Sequence, residues 1–208
     1  GFFTHKYQDS TVAFVHRRLS VIDLEDRSNQ PFIYNGTVLI FNGEIYNYLE
    51  IKKNLKDLGH VFKTKGDTEV LIHALCEWGQ DALDKLEGMW AFAWYNERQG
   101  TLILSRDRFA EKPLYFWHKN NGLYFSSEIK GLATLAGEWP HINENHLLRN
   151  LVNGYKSLYK TKETFFKEVR ELPSGNFLKV NPSNKISINK SWEFTLDENK
   201  NLSYDDAV

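Results

Sequence analysis

Apolar positions change period several times along the first half of the chain, and each change marks an element. TVAFVHRRLSVID (residues 11–23) reads as strand with a charged break in its middle. TVLIF (37–41) reads as a short buried strand that stops at Asn42-Gly43, a pair that favours turns. The period then becomes helical: Tyr48, Ile51, Leu55 and Leu58 share a face, Asn47 and Glu50 make a capping-box-like start, and Gly59 closes the run. HVFKT (60–64) is a strand candidate. A second helix starts near Asp67, carries Val70, Leu71, Ala74, Leu75 and Trp78 along one side and ends at Gly79. Residues 80–86 suit a short third helix.

From Gly88 onward four strand-like runs, MWAFAWY, TLILS, PLYFW and GLYFS, lie close together with hairpin-like separators. Helices are expected over 128–136 and near 145–151, and two further strands over 175–180 and 185–194. Strands in runs, with helices grouped between them, indicate an α+β fold rather than alternating βαβ units. Residues 1–194 then form one domain, and the polar, acidic stretch over 195–208 reads as a linker leading elsewhere.

Composition narrows the function classes. The 208 residues are 41% hydrophobic and 25% charged, ordinary for a globular chain with a full core. Twenty-six Lys and Arg balance 27 Asp and Glu, so neither nucleic acid nor an anionic membrane surface is expected as the main partner. No apolar run is long enough for a membrane span. The single cysteine fits a reducing compartment, and a cytoplasmic location is expected. Cys76 lies mid-helix without a neighbouring base, which suits packing better than nucleophilic attack. The histidines show no metal-ligand spacing, and no phosphate-cradling glycine loop occurs.

Three segments are candidates for chemistry. In FNGEIYN (41–47), the Gly43 N–H and the Asn42 amide could converge as two oxyanion donors, although from spacing alone a simple Asn-Gly turn is the favoured reading. His16-Arg17-Arg18 puts consecutive arginines into a strand pattern, so one of them faces the core side and needs an anion. That anion is either a ligand carboxylate gripped bidentately or a carboxylate of the protein, Asp23 or Glu44. Asp67 in KGDTE is an N-cap, or a receiver for a ligand ammonium. RDRFAEKPLY (106–115) reads as a charged surface loop.

In order and spacing, HRRLSVIDL, QPF, FNGEIYNY, GDTEV, LEGMWAFAWY, SRDRFAEKPLY and FSSEIKGL resemble the glutamine amidotransferase domain of glutamine-hydrolysing asparagine synthetases. The resemblance runs from Gly1 to Phe194. It implies an N-terminal-nucleophile fold, a four-layer α-β-β-α sandwich with two antiparallel sheets. It also implies a chain-terminal cysteine that attacks the glutamine side-chain amide and releases ammonia through a thioester, with its own α-amino group as base. Ammonia would pass to a synthetase domain in which ATP and Mg activate aspartate.

Residue by residue, the resemblance assigns the glutamine α-carboxylate to Arg18, the adjoining pocket wall to Leu19, Ser20, Val21 and Ile22, and the oxyanion hole to Asn42 and Gly43. Glu44 becomes a neighbouring pocket residue and Asp67 the receiver of the substrate ammonium. Gly66 departs from the small hydroxyl residue often found before that Asp. The family's opening Cys-Gly and RGPD segments and its SGGxDS loop have no counterpart here, so this stretch is expected to be a piece of a longer protein and inactive as a glutaminase by itself. A non-catalytic glutamine-binding module and an amidotransferase with another acceptor are the competing readings. Glutamine and a synthetase domain are the expected partners, and a homodimer is compatible with them.

Overall fold

The structure is a computed structural model, and it describes residues 1–19, 23, 25–155, 158 and 163–195. At its centre is a six-stranded antiparallel sheet ordered β11-β10-β6-β5-β4-β3. Its strands are β3 (Phe32–Tyr34), β4 (Thr37–Ile45), β5 (Gly88–Asn96), β6 (Thr101–Arg106), β10 (Asn176–Val180) and β11 (Ile186–Lys190). The second inner layer is in two parts: a hairpin of β1 (Phe2–Tyr7) and β2 (Ser10–Val15), and a three-stranded sheet ordered β8-β7-β9. The latter comprises β7 (Tyr115–Lys119), β8 (Gly122–Ser126) and the two-residue β9 (Arg170–Glu171).

Side chains that alternate across a pleated strand divide the sequence between the layers. Leu39, Phe41, Trp90, Phe92, Trp94 and Ile103 pack on one face of the large sheet, against α1 (Tyr48–Asp57), α2 (Asp67–Trp78) and α3 (Ala82–Lys85). Their neighbours Val38, Ala91, Ala93, Tyr95, Leu102 and Leu104 face the other way and meet Phe14, Leu114, Phe116 and Leu172 of the second layer. The second layer alternates as well: Trp117 faces outward onto Leu132 of α4 (Ile129–Ala136), whereas Phe116 faces inward. The sequence of layers is therefore helix, sheet, sheet, helix. Full burial of each of the large apolar side chains among these contributes about 1.5–3 kcal/mol. Among the described residues no helix is long and apolar enough to cross a membrane.

Several expectations change here. The strand beginning at Thr37 does not stop at Asn42-Gly43: β4 continues to Ile45, with Asn42 opposite Ala91 and Gly43 opposite Trp90. The glycine serves close approach rather than a turn, because a Cβ at Gly43 would collide with the Met89 carbonyl and lie 2.8 Å from the Trp90 Cα. Residues 60–64 form no strand. The Lys63 and Thr64 N–H groups donate to the buried Glu69 carboxylate instead of to a ladder. Asn47 precedes α1 but makes no side-chain cap; its amide donates to the Lys85 carbonyl and its oxygen accepts from the Glu87 N–H, tying the entry of β5 to α1.

The second helix is buried on all sides over its first nine residues rather than along one stripe. Among the described residues, strand over 11–23 is confined to β2, and β1 and β3 were not foreseen. The last helix, α5, spans Glu144–Asn153. The RDRF segment is not a surface ion-pair cluster. Asp107 is fully buried and accepts from the N–H groups of Trp90, Phe109, Glu111 and Lys112. Arg106, also buried, donates to the Lys112, Leu172 and Ala110 carbonyls. The expected linker lies, apart from Thr195, outside the described residues.

Candidate active site

The hairpin strand β2 and the edge strand β8 do not pair with each other, and between them opens a cavity of about 1320 Å³. Its floor is the inward face of the large sheet, including Ile40, Ala91 and Ala93. Arg18, Leu19, Asn42, Gly43, Glu44 and Asp67 all line it. Residues from three separate stretches of chain thus meet in one place. Ser20, Val21 and Ile22, expected beside Arg18, lie outside the described residues.

Each side chain arrives by a different route. Arg18 follows the end of β2, and its Nη2 donates to the Asp23 main-chain carbonyl at 2.6 Å. This bond goes to a main-chain oxygen and not to the Asp23 or Glu44 carboxylate considered from sequence. The Asp23 carboxylate is otherwise engaged: it accepts from the Lys65 N–H at 2.8 Å, and that bond is the main reason its pKa lies below the usual range. Asn42 is solvent-exposed and projects from β4 on the cavity side, since its neighbour Phe41 packs among the helices.

The main chain of β4 supplies the second donor. In an antiparallel ladder, successive residues direct their N–H and C=O groups to alternate sides. Phe41 turns its peptide groups away from β5, toward the Gln30 side chain, and the Ile45 N–H on the same edge donates to Asp67 Oδ2 at 3.1 Å. Gly43 lies midway between them, so its N–H points to that edge too, off the β4–β5 ladder. This is the geometry that the oxyanion reading of Asn42-Gly43 needs: two donors on adjacent residues at the rim of one cavity.

Asp67 opens α2 as its first helical residue, after Gly66, and is 7% exposed. It is thus not the cap residue itself. Burial raises its carboxyl pKa, against the lowering effect of the Ile45, Asp67 and Thr68 N–H groups, while nearby Glu44 adds to the rise. A buried carboxyl with an acidic neighbour gains most from a cationic ligand. The missing hydroxyl at Gly66 leaves room: a Cβ there would meet nothing closer than 3.9 Å.

Two cavity residues carried no role in the sequence reading. His16 is half-buried with its Nδ1 buried and unpartnered among the described residues; burial lowers its pKa, opposed by the Phe41 carbonyl. Gln30 is 5% exposed and bonds both peptide groups of Phe41. Its sequence signal is the QPF motif, to which no role is attached. Cys76 is elsewhere. It packs with the helix-side core, across the sheet from Asn42, and accepts or donates a hydrogen bond at 3.3 Å with Thr37 Oγ1. Burial raises its pKa, which keeps it a thiol.

Residues 3–192 match the glutamine amidotransferase domain family. The chain belongs to that family. It is 35% identical over 185 residues to asparagine synthetase [glutamine-hydrolyzing] 1 of Bacillus subtilis, covering 87% of this chain and 28% of that protein. Against asparagine synthetase [glutamine-hydrolyzing] 2 of Oryza sativa subsp. japonica the identity is 34% over 193 residues, covering 91% of this chain and 30% of the relative. The amidotransferase chain described here spans less than a third of these curated relatives. Among solved structures, glutamine phosphoribosylpyrophosphate amidotransferase from B. subtilis, complexed with ADP and GMP, superposes with a TM-score of 0.60 at 20% identity. That match covers 88% of this chain and 35% of the other. The likeness shows a common fold, the N-terminal-nucleophile sandwich of antiparallel sheets between helices.

Proposed function

We propose that this amidotransferase domain is the glutaminase half of an asparagine synthetase, hydrolysing glutamine and supplying ammonia for amidation of aspartate. The observation that carries this reading is the single cavity in which an arginine, a buried carboxyl and two adjacent amide donors converge. A free α-amino acid presents a carboxylate, an ammonium and, in glutamine, a side-chain carbonyl. Arg18, Asp67 and the Asn42–Gly43 pair match these three in charge and hydrogen-bonding sense.

The chemistry then divides among the residues. Arg18 and Asp67 hold the substrate by its α-groups. When a thiolate adds to the side-chain amide carbon, the carbonyl oxygen becomes an oxyanion, which the Asn42 Nδ2 and Gly43 N–H receive. Collapse, with a proton delivered to the leaving nitrogen, expels ammonia and leaves a thioester, and water then cleaves the thioester to release glutamate and regenerate the thiol. Cys76 does not serve this hole, because it is on the far side of the sheet and does not line the cavity. The names of the similar proteins support asparagine as the product. ATP and Mg belong to the synthetase domain that the same comparison suggests, and the single half-buried thiol fits the cytoplasm. The test is Asn42→Ala in the full-length protein. Glutamine-dependent turnover should fall by about 10²–10³ while ammonia-dependent synthesis is kept, and equal loss in both assays would refute the role.

A further inference from the structure

The β3–β4 ladder sets Phe32 against Leu39 and Tyr34 against Thr37. Carried on in the same register, it would set Gln30 against Phe41. A main-chain rung does not form there. Instead the Gln30 side chain, an amide like the peptide group, donates from Nε2 to the Phe41 carbonyl at 3.0 Å and accepts the Phe41 N–H at Oε1, 2.6 Å away. In an antiparallel hydrogen-bonded pair two residues exchange both bonds, and here one side chain makes both. At 5% exposure, neither bond has water as a ready substitute.

We propose that Gln30 is a positioning residue for the oxyanion hole, a conclusion that rests on the glutaminase reading. Phe41 immediately precedes Asn42, and its peptide groups share an edge with the Gly43 N–H. On that edge the Gly43 N–H is bracketed: Gln30 holds Phe41 on one side, and Asp67 holds Ile45 on the other. Successive same-edge residues are about 7 Å apart along a strand, so a tilt of β4 at Phe41 moves the hole directly. Without Gln30 the edge is unpinned from Leu39, where β3 ends, to Ile45, and the Gly43 donor loses its nearer support. Glutamate is nearly the same size but lacks the donor and sets an oxygen against the Phe41 carbonyl. The residue requirement is thus for an amide and not merely for bulk.

The experiment uses the full-length protein with Gln30→Glu and Gln30→Leu. Glutamine hydrolysis should lose about 10- to 100-fold in kcat, with the glutamine KM changed by no more than about two-fold and ammonia-dependent synthesis kept. The amide exchange of Phe41 should accelerate and the Gly43 amide resonance should shift. An unchanged kcat, or a parallel fall in both activities, would reduce Gln30 to a structural rung and overturn the proposal. If the wild-type protein releases no ammonia from glutamine, the glutaminase reading fails. The exchange measurement still decides whether Gln30 holds the Gly43 edge: unchanged Phe41 exchange and an unmoved Gly43 signal in Gln30→Leu overturn that too.

Discussion

His73 on α2 is fully buried between two rings, stacked on Tyr34 at 3.7 Å and on Phe62 at 4.5 Å between centroids. Its Nδ1 shares a hydrogen bond with His60 Nδ1 at 2.9 Å, and His60 Nε2 meets Glu77 at 3.0 Å. Burial lowers the His73 pKa from 6.5 to about 4; Glu69 opposes that shift, and His60 and Lys52 reinforce it. The folded protein therefore keeps this imidazole neutral over a range in which the unfolded chain takes up a proton. Stability rises with pH wherever the unfolded state binds more protons. The contribution of His73 is complete above pH 6.5 and is lost as pH falls toward 4, where it levels off.

The full difference corresponds to ~3 kcal/mol, of which about 2 kcal/mol is lost between pH 7 and pH 5. His73→Phe keeps a flat ring between Tyr34 and Phe62 and removes the titration. It also leaves His60 without its partner, so the variant should be less stable at pH 7 by about 1–2 kcal/mol. The informative quantity is the difference in pH slope. Urea unfolding at pH 7, 6 and 5 should give the variant a drop about 2 kcal/mol smaller than that of the wild type. Equal slopes would refute the claim that burial excludes the charged imidazole.

Three further outcomes follow from the cavity. Because Asp67 has a raised pKa and must be ionised to receive an ammonium, the glutamine KM should climb on acidification at a higher pH than an ordinary carboxylate would dictate; Asp67→Asn should weaken binding and flatten that pH profile, measured by steady-state kinetics. Arg18→Lys should raise the glutamine KM by about 10- to 100-fold, since an ammonium cannot reproduce a bidentate grip; a KM within about two-fold of wild type would remove Arg18 from the substrate site. Cys76→Ala should leave glutamine hydrolysis by the full-length protein unaltered, and loss of activity there would contradict its position across the sheet.

Local pattern was a good guide wherever it had a period. The helix around Ile51 and Leu55 repeats at 3.6 residues because one face is core. The strands from Met89 to Arg106 read as near-continuous apolar runs because both faces are covered. Both appear where expected, as do the strands over 115–126. The failures share a cause. Asn42-Gly43 carries turn chemistry, but its conformation is settled by the β5 backbone packed against it, a contact made across more than forty residues of chain. Residues 60–64 have strand-like side chains, yet the Glu69 carboxylate takes the N–H groups a ladder would have used. The RDRF loop looked like surface because charge usually is; burial of Asp107 needs four N–H donors at once, a condition no linear spacing displays.

The candidate site was legible to a different degree, residue by residue. Arg18, Asn42, Gly43 and Asp67 could be named because ordered motifs carried them. What no motif carries is why a donor at Gly43 is left over on β4, whose outer edge is taken up on either side of it at Phe41 and Ile45. The answer lies in the unequal lengths of neighbouring strands. β5 runs beside β4 for all nine of its residues, whereas β3 covers only three. Beyond Leu39 the outer edge of β4 needs partners from elsewhere. Gln30 takes Phe41 and Asp67 takes Ile45, both through buried side chains. An unpaired N–H buried away from water costs about 1–3 kcal/mol, so a sheet tolerates the open Gly43 only where solvent or a ligand can reach it. The cavity between β2 and β8 meets that condition, and it makes the shortened β3 a requirement of the site rather than an imperfection of the sheet.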